Sequence, residues 1–254
     1  MQIYIISIEK DDSERLQKFL KQFFFKNLDQ SYKKIGIKGA DLSAKQYFEQ
    51  AVKGREIALT PGELGCTLSH LQAIELFLKT EDEYAFIIED DAILPNNLTL
   101  ELLKKEIKKF DLSSKTLFSL GGIQMKESRK VRGHFRAELF LQKKVLEVVP
   151  DYYHRVNYTM AYIVDREMAR TLLAYHHLTL RRADDWSYLF DFDNQVHLLM
   201  THIVDHPVIE KGEINEYLSV IEAERTDRLS LKKSQYGSSI KRSFIKLYTH
   251  TYFN

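Results

Sequence analysis

Cysteine occurs once in 254 residues, at Cys66, which excludes an intramolecular disulfide framework and a multi-cysteine zinc ribbon and points to a reducing compartment. Four prolines and ten glycines are too few for a fibrous or Pro/Gly-rich disordered chain. Neither sign of charge dominates: 37 Lys+Arg face 36 Asp+Glu, a formal net charge of +1, so no global field attracts nucleic acid or a membrane. Long hydrophobic runs are missing too. The stretch 156–164 falls far short of the ~20 apolar residues of a spanning helix. The N-terminal stretch lacks a basic leader and meets Glu9-Lys10-Asp11-Asp12 almost at once, so no signal peptide is expected and the sequence predicts a cytoplasmic protein. What is present is ordinary: 44% hydrophobic and 29% charged residues, in a length that fits one α/β domain with or without a small appendage.

Residues 2–8, rich in Ile and Tyr and ended by charge, have the pattern of a short buried strand. Asp11-Asp-Ser-Glu14 supplies an N-cap, predicting a helix through about Phe25. Residues 35–37 suit a second strand ending at Gly39-Ala-Asp41. The clearest start signal is Thr60-Pro61-Gly62-Glu63, with a hydroxyl at N-cap, proline at the first helical position and glutamate at N3. Leu64, Leu68, Leu71, Ile74 and Leu78 follow as one apolar stripe. Residues 84–88 read as a central strand, 98–110 as a helix, 116–120 and 159–164 as strands, and 166–175 as a helix. This alternation predicts an α/β fold with a mostly parallel central sheet and helices on both faces. Lys126, Arg129, Lys130, Arg132 and Arg136 crowd the aperiodic stretch 124–144, which predicts a long mobile loop plus a short strand. The compact domain is assigned to residues 1–227. Residues 228–254 form a basic tail, with six Lys or Arg (Arg228, Lys232, Lys233, Lys241, Arg242, Lys246) and no acid.

In an α/β sheet, ligands sit outside the carboxyl ends of the strands, and Glu89-Asp90-Asp91 lies there. Three adjacent carboxylates repel one another unless a cation or donors compensate them. A hard divalent ion bridging carboxylates to substrate phosphates is the usual compensator. The same triplet also suits a turn in which Asp90 or Asp91 caps the next segment, completed by Pro95-Asn96-Asn97. Asp184-Asp185 precedes Trp186, the only tryptophan. Arg181 and Arg182 could neutralise that pair at the surface. Alternatively, one carboxylate is a general base beside an indole on which a sugar's C–H face stacks. Tyr152, Tyr153, His154, Tyr158 and Tyr162 offer further stacking surface or core packing.

The segments Ile3-Tyr-Ile-Ile-Ser-Ile-Glu-Lys-Asp-Asp-Ser-Glu-Arg15, Thr60-Pro-Gly-Glu-Leu-Gly-Cys-Thr-Leu-Ser-His70 and Phe86-Ile-Ile-Glu-Asp-Asp-Ala92 occur in that order. Together they resemble glycosyltransferase family 25, the lipooligosaccharide-biosynthesis glycosyltransferases. Ala161-Tyr-Ile-Val164, Asp185-Trp186 and His206-Pro-Val208 continue the resemblance, which spans about residues 2–225. It implies a GT-A-like single Rossmann-type domain, a nucleotide-sugar donor and inversion at the anomeric carbon. Members include β-1,4-galactosyltransferases, so UDP-galactose is the expected donor and a lipooligosaccharide or other glycan the acceptor. Mn2+ or Mg2+ would be held by Glu89 and Asp91 with His206 completing the shell. The donor contacts would be Ser7, Arg15, Asp41, Ser69, His70, Glu89 and Asp90. Asp185 would be the base and Trp186 the acceptor platform. Ala183 departs from the proline-like context that often precedes the Asp-Trp pair, which leaves Asp184 open as the base.

Two rivals belong to other classes. A glycoside hydrolase would use two carboxylates and no nucleotide, and a non-catalytic glycan- or nucleotide-binding module would lack the acidic motifs, which are present. In the leading reading the basic stretch 126–136 closes over the donor diphosphate as a lid. No nucleic-acid partner is expected. The tail 228–254 is a candidate peripheral contact to anionic membrane, with an amphipathic helix at residues 239–248, or else a helix packed on the domain.

Overall fold

The computed structural model describes residues 1–207 and 239–253. Eight strands, β1 (Gln2–Ile6), β2 (Lys33–Ile35), β3 (Tyr84–Glu89), β4 (Thr116–Gly121), β5 (Gly133–Phe135), β6 (Leu146–Val148), β7 (Ala161–Asp165) and β8 (His197–Val204), form one sheet ordered β2-β1-β3-β7-β4-β8-β6-β5. The helices among the described residues are α1 (Glu14–Leu20), α2 (Phe23–Lys26), α3 (Ala44–Tyr47), α4 (Pro61–Leu78), α5 (Leu100–Phe110), α6 (Arg166–Leu178), α7 (Leu189–Phe192) and α8 (Ser239–Tyr248). None of them is long and apolar enough to cross a membrane.

Alternation along each buried strand divides two cores between the faces of the sheet. Tyr4, Ile6, Ala85, Ile87, Tyr162 and Val164 join Ala73, Ile74 and Phe77 of α4 and Met168, Leu172 and Tyr175 of α6 on one face. Ile3, Ile5, Phe86, Ile88 and Ile163 meet Leu16 and Phe19 of α1 and Leu103, Ile107 and Phe110 of α5 on the other. The result is a three-layer α/β/α domain.

The expectation of a mostly parallel sheet needs correction. Only β1–β2, β1–β3 and β4–β8 pair in parallel, while β3–β7, β4–β7, β6–β8 and β5–β6 are antiparallel. Six strands share one direction, and β6 and β7 run against them. β6, entered antiparallel from β5, already runs from the carboxyl toward the amino end of the sheet. Residues 149–160, which hold a 3-10 turn at Pro150–Arg155 and no α-helix, then carry the chain back to the carboxyl end, so β7 starts there and runs in the direction of β6, against its neighbours β3 and β4.

The predicted cap of α4 is present in full. Thr60 Oγ1 accepts from the Glu63 amide at 3.1 Å, and Glu63 accepts from the Thr60 amide at 2.9 Å. The apolar stripe read along this helix is not its buried face, however. Leu68, Leu71 and Leu78 are half-buried, whereas the polar Thr67, Ser69 and His70 are buried with Leu64, Ala73, Ile74 and Phe77. The helix is enclosed on more than one side. A Cβ on Gly65 would lie 2.5 Å from the Ile37 carbonyl, and one on Gly39 would lie 1.8 Å from the Pro61 carbonyl, so the 36–39 turn is pressed against α4. The helix expected through Phe25 is broken after Leu20 and resumes as α2.

The stretch 124–144 is not a free loop. It contains turns, β5, and a two-residue reversal in which Leu141 and Gln142 take positive φ between the paired Phe140 and Lys143. Its far end is fastened to the chain terminus. Gly133 and His250 exchange backbone hydrogen bonds of 3.0 and 2.8 Å, and the Arg132 guanidinium donates to the carbonyls of Lys246 (3.1 Å) and Thr249 (2.5 Å).

Candidate active site

Register places the carboxyl ends of β1, β3, β4 and β8 side by side: Ile6 pairs with Glu89, Ile88 with Ala161, and Gly121 with Val204. Beyond β3 and β8 the chain stays paired. Ile93 and Asp205 exchange hydrogen bonds of 2.8 and 2.9 Å, which brings His206 over the acidic triplet. His206 Nε2 lies 3.2 Å from Asp91 Oδ2, and Nδ1 donates to the Pro207 carbonyl at 2.9 Å. Burial acts to lower the His206 pKa, but the hydrogen bond and charge of Asp91 overcome it and raise it to about 9. Burial pushes Asp91 up, and His206 and Arg15 together hold it below the ordinary carboxylate range.

Asp90 has a different task. Its Oδ1 accepts from Arg15 Nε and Nη2 at 2.9 and 2.5 Å, and its Oδ2 accepts from the Ser7 hydroxyl at 2.5 Å. Ser7 and Asp90, assigned from sequence as donor contacts, are both buried and occupied by each other and by Arg15. They lock the end of β1 and the start of α1 to the residue beside Asp91. Arg15 also reaches Asp91 Oδ2 at 3.3 Å.

Glu89 turns toward α4. Its Oε1 accepts from the Thr159 hydroxyl at 2.6 Å and lies 3.3 Å from His70 Nε2. Since the carboxylate only accepts, Nε2–H donates, and the Tyr162 hydroxyl then donates to Nδ1 at 2.8 Å. Burial raises the Tyr162 pKa far above its ordinary value, so that hydroxyl keeps its proton. The three residues read as metal ligands therefore do not converge. Asp91 pairs with His206, while the grouping of three ligand atoms found mutually within 4.8 Å among the described residues is Cys66, His70 and Glu89. That thiol–imidazole–carboxylate set suits a softer ion than Mg2+.

Other expected site residues are placed elsewhere. Ser69, 1% exposed, donates to the Gly65 carbonyl (2.7 Å) and accepts from the Ile37 amide (2.8 Å), so it clamps the 36–39 turn and cannot line a cleft. Asp41 lies exposed at the end of that turn. Trp186, expected as the acceptor platform, is 3% exposed within the core beneath α6 and cannot stack on a sugar, since an indole serves a core as readily as a platform. Asp185 Oδ1 accepts from the Ser187 amide at 3.2 Å and its carbonyl from Tyr175, facing α6. Asp184, 7% exposed, has Oδ2 accept from the Tyr158 amide at 3.4 Å and Oδ1 3.8 Å from Arg182 Nε, so it faces the Tyr158 segment. Tyr158 holds a left-handed backbone (φ 74°), its ring centroid is 6.3 Å from that of His206, and its hydroxyl donates to Glu127 at 2.6 Å. A positive φ at a tyrosine is costly and clusters at functional sites. The sequence marks Tyr158 as stacking or packing surface but not its backbone, and no sequence signal marks Glu127 or Thr159.

An α/β sheet with an acidic triplet and a histidine at its carboxyl edge is the framework of a Rossmann-like enzyme of the glycosyltransferase kind. The model of glycosyltransferase family 25 (LPS biosynthesis protein) matches residues 1–186, and the chain belongs to that family. Membership makes it a glycosyltransferase of lipopolysaccharide biosynthesis, acting between a nucleotide-sugar donor and a glycan acceptor. The match stops at Trp186, short of the 2–225 read from motifs, so β8, His206 and the C-terminal residues lie beyond it. Comparison with curated proteins gives no match.

Proposed function

We propose a metal-dependent, inverting glycosyltransferase of GT-A type that transfers galactose from UDP-galactose to a lipopolysaccharide-type glycan in β linkage. One observation carries the metal: Asp91 Oδ1 is buried with no hydrogen-bond partner among the described residues, beside an imidazole already oriented by a backbone carbonyl. A buried orphan carboxylate oxygen is expensive unless a cation completes it. Histidine ligands commonly donate their second N–H to a carbonyl, as His206 does to Pro207. Mn2+ or Mg2+ at Asp91 and His206 would displace the proton from Nε2 and would supply charge to neutralise the leaving diphosphate.

The chain's own residues supply the remainder. Arg15 and Ser7 fix Asp90, which fixes its neighbour Asp91. Tyr162 and Glu89 set the His70 ring. The strand order reverses between β1 and β3, the switch point at which nucleotides bind in open α/β sheets, so the partly exposed Arg15 is the candidate to meet the donor, while His70, buried with both ring nitrogens engaged, shapes the site from behind. Asp184, rather than Asp185, is the general base of this reading, because it faces the Tyr158 loop next to His206. Tyr158 takes the platform role that Trp186 cannot fill. Removal of the acceptor proton by Asp184, with attack opposite the leaving group, converts an α-linked donor into a β product.

Helix α8 exposes Phe244, Leu247 and Tyr248 at i, i+3 and i+4, near Lys246. Its other side is docked: Ile245 packs on the core and Thr249 is buried. The exposed stripe is a contact surface for anionic membrane in this account. The basic residues 228–238 and the 227/228 boundary lie outside the described residues. Release of UDP from a panel of UDP-sugars, with Mn2+ and a lipopolysaccharide-derived acceptor, tests the assignment. UDP-galactose is expected to give the fastest release, and release independent of the acceptor, or none with any donor, would contradict it.

A further inference from the structure

A cavity of about 860 Å3 opens between the 124–132 turn, the 3-10 turn at Pro150–Arg155 and the C-terminal residues. Arg129, Lys130, Arg132, Arg155 and Lys246 line it, and among the described residues no carboxylate does. Among the described residues none of these five cations makes an ion pair, although the whole chain carries a formal charge of only +1. The neighbouring acids are engaged elsewhere. Glu127 accepts from Tyr158, Asp151 pairs with Lys241 at 2.8 Å, and Glu147 pairs with Arg136 at 3.3 Å and His197 at 3.0 Å. Five cations with no ion-pair partner among the described residues, gathered around one concavity, repel one another and focus a positive potential into it.

Position separates this cavity from the donor diphosphate. The donor belongs at the β1–β3 switch point, whereas the cavity lies on the β8 side of the sheet. Arg132 is tied to Thr249 and Lys246, so the basic stretch is a fixed wall and not a lid. The wall still reaches the cleft: His202, which lines the cavity, holds Asp205 at 2.6 Å, and Asp205 precedes His206. A saccharide that presents a hydroxyl to Asp184 and Tyr158 would extend along this wall. Three of the five cations are arginines, whose planar fork fits the oxygen pairs of phosphate and carboxylate, and Tyr152 and Phe253 add ring surface at the cavity.

The geometry points to an acceptor-side anion subsite: the cavity receives a phosphate or carboxylate borne by the acceptor glycan, so the substrate class is an acidic saccharide. This rests on the glycosyltransferase reading above but is tested by binding alone. Glucose 6-phosphate, glucuronate and glucose are titrated calorimetrically into the full-length protein saturated with UDP, and into Lys130→Gln/Arg155→Gln. Those two side chains make no hydrogen bond or ion pair among the described residues, so the fold is expected to survive. At least one acidic sugar is expected to bind where glucose does not. The double variant is expected to weaken that binding by roughly tenfold to a hundredfold, the loss of one or two charge-assisted hydrogen bonds. Tighter binding of glucose 6-phosphate or of glucuronate identifies the anion. Equal binding by the variant, binding of neither acidic sugar, or competition between UDP and the acidic sugar would overturn the subsite. Failure of UDP-sugar turnover would overturn the enzyme reading and leave this binding result standing.

Discussion

Arg15→Met isolates the lock beside the site. Asp90 is 6% exposed, and Arg15 donates twice to its Oδ1, at 2.9 and 2.5 Å, while Ser7 donates to Oδ2. Methionine keeps the apolar stem but leaves one carboxylate oxygen buried without its donor. At ~3 Å and an effective dielectric of ~20 the attraction lost is roughly 5 kcal/mol gross. The guanidinium, 22% exposed, recovers part of its hydration cost on deletion. Breaking a buried pair from one side costs about 3–5 kcal/mol, and the partial exposure of Arg15 puts this case near ~3 kcal/mol. Burial already holds Asp90 above the ordinary carboxylate range, with Arg15 and Ser7 pulling it down. Without Arg15 it rises further, so the folded variant keeps a proton that the unfolded chain releases above ~3.9. Its stability then falls as pH rises through that interval, and the deficit against wild type narrows on acidification. Urea denaturation near neutral pH and near pH ~4.5, followed by the fluorescence of buried Trp186, measures both. The variant Arg15→Met/Asp90→Leu strands no charge and is expected to regain at least ~1 kcal/mol. A deficit under ~1 kcal/mol at neutral pH, or one unchanged at acid pH, would refute the lock.

Three further expectations concern other parts of the molecule. Asp184→Asn is expected to lower kcat by roughly 10²–10⁴-fold with little change in donor KM, and Asp185→Asn to lower it far less; the reverse order would move the base to Asp185. Burial, against Asp185 and with Arg181, lowers the His176 pKa to about 4. The unfolded chain therefore binds a proton below ~6.5 that the native state refuses, and stability falls by about 3 kcal/mol as pH drops through that window. His176→Gln should flatten this part of the pH–stability curve, and an unchanged acid slope would count against it. Phe244→Ser/Leu247→Ser is expected to weaken sedimentation with anionic vesicles while sparing transfer to a soluble acceptor; unaltered vesicle binding would remove the membrane role of α8.

Local signals were legible because they are local. Thr60, Pro61 and Glu63 announced α4 within four consecutive residues, and the apolar run before Glu89 announced β3. The direction of β7 was not legible, because it depends on where the preceding segment enters the sheet. Motif membership brought Ser69, Ser7 and Asp90 into the donor set, but their burial assigns them to holding the cleft in shape. A side chain's type does not say which way it faces. That is also why Asp184 and Asp185, adjacent in sequence, differ: one meets the Tyr158 loop and the other α6. Tyr158 owes its place to a positive φ that no residue pattern encodes, and the basic cavity joins segments more than a hundred residues apart, from Arg129 to Lys246.

The pairing of Asp91 with His206 is the centre of the account, and titration of Mn2+ against UDP release from UDP-galactose tests it most directly. Wild-type protein is expected to be inactive in excess chelator and to recover activity saturably as Mn2+ is added. Asp91→Asn, which replaces the orphan carboxylate with an amide, is expected to stay folded by Trp186 fluorescence and to remain inactive at every Mn2+ concentration. Substantial UDP release by wild type in chelator, or an Asp91→Asn variant that titrates with Mn2+ as wild type does, would contradict it.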